Sequence, residues 1–359
     1  MIRGAVAKVS LDSITHNLRR VRSVVGPNTR ILAMIKANAY GHGLLQVAST
    51  LSDAQALGVA SVESAITLRE SGEKKPIVLM QGYSDHVELA ACDTHQLTPV
   101  VHHVSQLPGL QSNSFQRPLS YWLKLETGMN RLGLSCDDFQ AAHQRLKAVP
   151  GLQPNPVVMT HLGWADTPSS GETAKQVACF LSALRSIDCL KSVCNSAAIL
   201  NYPQAHYDWV RPGIMLYGVS PFEGQVGADF DLLPAMTLKA RLIAVRQQKA
   251  GDRVGYGGVY RCPRDMLSGV VNIGYGDGYP RSAACGTPVL INGVQCPIIG
   301  RVSMDMLTVD LSALQYSPAI GTEVVLWGEG LPVEVVARCA GTIGYELLSQ
   351  LTSRVHFKY

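Results

Sequence analysis

From residue 1 to about residue 235 the chain repeats one alternation: a short apolar run, then a segment of helical period. Leu11, Ile14, Leu18, Val21 and Val25 recur at three- and four-residue spacing, which marks one buried face of a helix. ILAMIK (31–36) follows as a continuous apolar run, suited to a strand covered on both sides. Next come a helix candidate from Leu44, ALGVA (56–60) and the helical SVESAITLRESG ending at Gly72. PIVLM (76–80), TPVV (98–101), YWLKL (121–125), PVVMTH (156–161) and a helix over 172–187 continue the pattern. Strand and helix alternating in this way predict parallel strands with helical crossovers. About eight such units fit a (β/α)8, TIM-type barrel better than an open sheet.

After Pro234 the texture changes. LKARLIAVR, GVVNIGY, PVLINGVQCPII, MLTVDL and TEVVLWG are short and β-rich, and Asn292-Gly293 between two apolar runs predicts a tight hairpin. The expected division is therefore an α/β barrel over 1–235 and a mainly β domain over 236–359, with a helical excursion near 333–352.

Composition narrows the function class. Hydrophobic residues make up 47% and charged residues 16%, and the net charge of +4 comes from scattered rather than clustered cations, so a nucleic-acid surface has little support. The nine cysteines include no CxxC pair and no zinc spacing, so no metal is expected and free thiols in a reducing compartment are the simplest account. The N-terminal stretch has no apolar signal core, and no apolar run approaches the ~20 residues that span a bilayer. A soluble, cytoplasmic protein is expected. GYGDGY is turn-rich and does not match a dinucleotide fingerprint.

Lys36 closes the run ILAMI and opens the loop KANAYGHG. By position alone it is either a solvated strand-end lysine or a group aimed into the mouth of a barrel. In the second setting, desolvation lowers a lysine's pKa and makes it nucleophilic. The stretch Met34–Gly43 resembles the cofactor-lysine signature of alanine racemases, the bacterial pyridoxal-phosphate enzymes of fold type III. Further matching segments follow in order: LKLETGMNRLG (123–133), THL (160–162), CNSAA (194–198), DWVRPGIMLYG (208–218), VGYGG (254–258), GYGDGYPR (274–281), GRVSMDM (300–306) and YELL (345–348). The resemblance spans essentially the whole chain.

It implies the interconversion of L- and D-alanine by two bases on a pyridoxal 5'-phosphate aldimine, supplying D-alanine for peptidoglycan. Removing an α-proton from one face and returning it to the other calls for two acid/base groups around a planar centre. Lys36 is the expected base on one face, and Tyr256, from the partner subunit of a homodimer, on the other. The family relay runs from Tyr256 to His161 to Arg211, and a permanent cation at its end favours the phenolate. Arg211 would face the cofactor's ring nitrogen. Because a guanidinium only donates hydrogen bonds, that nitrogen would accept and stay unprotonated.

The resemblance assigns Arg131 to the substrate carboxylate and cofactor oxygen, and Tyr40, Ser196, Tyr345, Gly213 and Ile214 to the phosphate. Lys124 is a candidate for carbamylation. Tyr275, Met304 and Asp305 map to a substrate gate that admits a methyl-sized side chain, and Asp166, Arg281 and Arg301 to an outer entryway. Trp164 is bulkier than usual in its stretch, and Ser303 falls at a variable position. The alternatives are a racemase of serine or another small amino acid, a barrel decarboxylase of basic amino acids, and a non-catalytic cofactor-carrying barrel. Arg211 and the VGYGG tyrosine argue against the decarboxylase, and the presence of the β domain argues against the carrier.

Overall fold

The computed structural model describes residues 4–185 and 187–359. Eight short strands close a parallel barrel: β2 (Arg30–Met34), β3 (Ala56–Val59), β4 (Ile77–Leu79), β5 (Thr98–Val101), β6 (Trp122–Lys124), β7 (Val157–Met159), β8 (Leu190–Ser192) and β9 (Trp209–Val210). A first strand, β1 (Val6–Val9), precedes them in the sequence and lies outside the barrel. Closure comes from β2 beside β9, with Arg30 opposite Trp209 and Ile31 opposite Val210. The barrel strands are apolar along most of their length because helices cover them outside and side chains fill them inside. In β2 every residue but Arg30 is buried. The eight-unit barrel reading holds.

Local signals set the helices. Helix Leu11–Val25 starts at Ser10, whose hydroxyl accepts the N–H of Ser13, and stops at Gly26 with φ 78°. Its Ile14, Leu18 and Val21 are buried as their spacing predicts. Asn17 shares that face. Its amide donates to the carbonyls of Leu216 and Leu233 and accepts the N–H of Leu233, tying the helix to the end of the barrel. The helix expected over 172–187 runs Glu172–Ala183, with residue 186 outside the described residues.

The C-terminal part is built on β10 (Met236–Gln248), β11 (Arg253–Val254), β12 (Tyr260–Arg261), β13 (Met266–Val271), β14 (Pro288–Ile291), β15 (Val294–Ile299), β16 (Leu307–Asp310), β17 (Glu323–Trp327) and β18 (His356–Lys358). Eight strands form one sheet, ordered β13-β16-β15-β14-β17-β10-β1-β18, and β10 also pairs with β13. A register shift between Leu242 and Ala244 lets the two halves of β10 serve different neighbours. Asn292 and Gly293 both take positive φ, 52° and 78°, in the β14–β15 hairpin that their sequence predicts. The helical excursion is two helices, Val333–Ala340 and Gly344–Ser349.

One connection was not foreseen. No strand signal precedes Leu11 in the sequence, yet β1 lies between β10 and β18 in the C-terminal sheet. Among the described residues no helix is long and apolar enough to cross a membrane.

Candidate active site

A cavity of about 470 Å³ opens at the carboxyl ends of the barrel strands. That is where barrel strands deliver functional side chains, because each βα loop begins there. Lys36 stands just beyond β2, Lys124 ends β6, and His161 and Arg211 lie two and one residues past β7 and β9. All four line the cavity. So do Tyr40, Arg131, Asp166, Ser196, Gly213, Ile214 and Tyr345.

Four cations around one hollow dominate its electrostatics. Lys36 has its pKa lowered, first by desolvation and then by Arg131. Lys124 is buried and pulled down to about 8, by burial first and then by Arg211 and Arg131. His161 is pushed well below the usual histidine range, by burial and then by Arg211, Lys124, Arg131 and Lys36, so it is neutral. Burial brings Arg211 down to about 10, which still leaves it charged near neutrality. Such a site favours an anionic occupant.

Arg211 is fixed from below. It donates to the hydroxyl of Ser192 at 2.7 Å and to the carbonyls of Thr160 at 2.6 Å and Val193 at 3.2 Å. Among the described residues no hydrogen bond joins His161 to Arg211 or to Tyr256, so the relay implied by the resemblance is not formed within one chain. Arg131 rides on a turn organised by Glu126. Burial raises that carboxyl, but the N–H groups of Asn130, Gly128, Arg131 and Met129 outweigh it and hold the group low. Glu126 is a positioning residue that the sequence alone does not single out. Its only sequence signal is a carboxylate two residues before a glycine turn.

One wall of the cavity is a cradle of hydroxyls and N–H groups. The hydroxyl of Ser196 accepts the N–H of Gly213 at 2.9 Å. Ile214 opens a short 3-10 turn, where no earlier carbonyl is in register to accept its N–H. Gly213 has no room for a side chain, since a Cβ there would overlap the hydroxyl of Tyr40. Burial raises the pKa of both Tyr40 and Tyr345, so both stay protonated donors.

Tyr40 reaches this wall by an unusual path. Ala37, Asn38, Ala39 and Tyr40 are consecutive left-handed residues, with φ between 52° and 55°. Each such non-glycine residue costs about 1–2 kcal/mol, so the turn depends on its surroundings. Asn195, also at the cavity, caps helix Ser196–Asn201 by accepting the N–H of Ala198 at 3.0 Å.

The remaining site candidates lie elsewhere in the chain. Tyr256, Tyr275 and Met304 are 69%, 38% and 53% exposed on the β domain, and Asp305, Arg281 and Arg301 are exposed as well. All but Arg281 fall into two adjoining groups. Tyr275 donates its N–H to the carbonyl of Ser303 at 3.1 Å, and Gly276 to that of Met304 at 2.8 Å, so the Tyr275 and Met304–Asp305 loops are joined. Ser303 contributes only backbone groups there, which fits a variable side chain. The guanidinium of Arg301 packs beside Gly257, next to Tyr256. Trp164 is partly exposed in the loop that carries Asp166. One chain thus presents a cavity in the barrel and a separate exposed cluster on the β domain.

Comparison with known proteins follows the same division. The family described as "Alanine racemase, N-terminal domain" matches residues 9–221, and "Alanine racemase, C-terminal domain" matches residues 235–359. An alanine racemase of Yersinia pestis is 47% identical over 358 residues, covering 100% of this chain and 99% of that protein. A biosynthetic alanine racemase of Escherichia coli (strain K12) is 45% identical over 359 residues, covering 100% and 99%. The crystal structure of the biosynthetic alanine racemase from Pseudomonas aeruginosa superposes with a TM-score of 0.96 at 42% identity, covering 99% of both chains. That of the Bartonella henselae enzyme, described with covalently bound pyridoxal phosphate, gives 0.89 at 29% identity, again covering 99% of both. With both of its parts matched and its full length shared, the chain belongs to the alanine racemase family.

Proposed function

We propose that this protein interconverts L- and D-alanine with pyridoxal 5'-phosphate as cofactor, and so supplies D-alanine for peptidoglycan. The observation that carries the reading is Lys36, its pKa lowered, in a cation-rich cavity at a strand end opposite a cradle of donors. The residues fit the cofactor. Tyr40, Ser196 and Tyr345 offer hydroxyls, and Gly213 and Ile214 offer N–H groups, to a dianionic phosphate. Arg211, a donor only, suits an acceptor nitrogen. When bound, pyridoxal phosphate supplies the electron sink that makes an amino acid's α-proton removable.

The chain's own groups do the rest. Lys36 Nζ, with desolvation favouring its neutral form, holds or takes a proton on one face of the substrate. The Tyr256 hydroxyl serves the other face. Its exposure within one chain supports its delivery to a second copy, in a homodimer that shares its active sites. Arg131 presents a planar fork to the substrate carboxylate. Tyr275, Met304 and Asp305 restrict the side chain, and Asp166, Arg281 and Arg301 line the approach. The chain divides at about residue 235, with the β domain completing the partner's site, and it works in the cytoplasm.

Lys124 carries a further modification in this reading. A neutral amine adds to carbon dioxide, forming an N–C bond and releasing a proton, and a pKa near 8 makes that form accessible. The resulting carbamate would turn one cation beside Arg131 into an anion that orients it. Isotopically labelled bicarbonate should give a carbamate carbon signal that Lys124→Met removes; an unlabelled wild-type protein defeats this assignment.

The main test is direct. Purified protein reconstituted with pyridoxal phosphate should be yellow and should abolish the optical rotation of L-alanine. Borohydride should then fix the cofactor to the peptide containing Lys36. Label on another peptide, or unchanged rotation, overturns the proposal.

A further inference from the structure

Behind the cavity, one aromatic side chain joins the turn that brings Tyr40 to the phosphate cradle, the turn that brings Ile214 there and the strand that leads to Lys36. Tyr217 is fully buried at the end of the turn Ile214–Tyr217, which carries the Ile214 N–H. Its hydroxyl donates to the carbonyl of Met34 at 2.9 Å, two residues before Lys36. The ring of Tyr40 stacks on it with centroids 4.7 Å apart and planes inclined 27°. The imidazole of His42 packs on the same ring at 4.6 Å.

His42 also holds the left-handed turn itself. It is fully buried, and burial lowers its pKa to about 4, so its ring is neutral and has one N–H. The only hydrogen-bond partners of its ring among the described residues are two carbonyls facing Nδ1, Tyr40 O at 2.9 Å and Ala39 O at 3.2 Å. A carbonyl cannot donate, so the proton sits on Nδ1 and is shared between them. Nε2 is left buried without a partner. The histidine thus satisfies the carbonyls of the last two left-handed residues. Asn38 closes the start of the turn by accepting the N–H of Leu44 at 2.8 Å. Gly41 lets the chain pass against the carbonyl of Leu348, where a Cβ would overlap.

We infer that His42 and Tyr217 are positioning residues for cofactor affinity, acting through Tyr40. His42 keeps the strained turn wound, and Tyr217 locks that turn to the strand bearing Lys36 and to the turn bearing Ile214. Neither touches the substrate side of the cavity, since neither lines it. The inference rests on the proposed use of Tyr40 in phosphate binding, and it concerns the phosphate end alone.

The test separates donor from ring and phosphate from aldehyde. Apoprotein is prepared from wild type, His42→Phe, His42→Asn and Tyr217→Phe. Binding of pyridoxal phosphate and of phosphate-free pyridoxal is then titrated, with circular dichroism verifying the fold. His42→Phe keeps a flat ring and loses the donor, so pyridoxal phosphate should bind about tenfold more weakly, one hydrogen bond's equivalent. His42→Asn carries an amide N–H near the Nδ1 position and should recover most of that loss. Tyr217→Phe, which frees only the Met34 carbonyl, should weaken binding in the same direction. Affinity for pyridoxal should change in none of them.

Folded variants that bind the phosphorylated cofactor like wild type overturn the inference, and so do equal losses for both ligands. Wild-type protein that binds no pyridoxal phosphate at all would instead refute the proposed function.

Discussion

Arg354 Nε stands 3.1 Å from a carboxylate oxygen of Asp277. The other arm of the same guanidinium reaches Asp305. One side chain near the C-terminus therefore clamps the loop that carries Tyr275 to the loop that carries Met304 and Asp305.

Cutting that clamp should loosen the gate while the catalytic pair stays intact. For Arg354→Ala we expect KM for alanine to rise several-fold with a smaller change in kcat, the pattern of lost binding rather than lost transition-state stabilisation. Steady-state kinetics in both directions checks this. Arg354→Lys keeps the charge but cannot span both carboxylates, and should fall between the two.

A second expectation concerns acid stability. His42 has an ordinary pKa near 6.5 when unfolded and about 4 when folded. The unfolded chain therefore binds this proton first as pH drops. Stability from keeping His42 neutral is complete above about 6.5 and is lost progressively down to about 4. The difference is on the order of 3 kcal/mol. Urea unfolding at intervals across this range should show the decline in wild type and a flatter curve in His42→Asn.

Gly213 predicts a steric outcome. In Gly213→Ala the new methyl would overlap the Tyr40 hydroxyl, on a residue whose own N–H belongs to the cradle. The Tyr40 hydroxyl must move aside, and cofactor affinity should fall by at least tenfold, about 1.4 kcal/mol. The unfolding midpoint of the apoprotein should move little. Equilibrium dialysis against pyridoxal phosphate measures the first quantity and thermal denaturation the second.

If Tyr256 acts in the partner's site, two inactive proteins should rescue each other. Lys36→Ala and Tyr256→Phe, mixed in equal amounts and allowed to exchange subunits, form hybrids with one intact site in two. Random pairing should restore about a quarter of wild-type activity. No recovery after confirmed exchange would mean that the tyrosine serves its own chain or none.

What could be read from the residues follows from how local each signal is. The barrel was legible because most of its strands are apolar runs and helices such as Leu11–Val25 bury one face, although β8, which reads LKS, carries no such signal. The Asn292-Gly293 hairpin was legible because few residue pairs accept two positive φ angles. Lys36 stood out through the motif around it. The left-handed turn beside it could not be read, because Ala37, Ala39 and Tyr40 have no preference for that conformation. It is held by His42, whose local hydrogen bonds depend on its burial against Tyr217, and by the carbonyl of Leu348, contacts that only the tertiary fold supplies. Glu126 escaped for a similar reason, since any carboxylate before a glycine turn looks alike in sequence. Tyr256 stands exposed, away from the cavity of its own chain, a placement that no periodicity encodes.

The seat of β1 between β10 and β18 has a consequence for biosynthesis. Val6–Val9 precede every barrel strand, yet one neighbour they pair with, His356–Lys358, follows all of them. While the intervening residues are being made, this strand has an edge waiting to be covered. The barrel can close before the sheet beside it, which is finished only when strands from both sides of the barrel in sequence dock together.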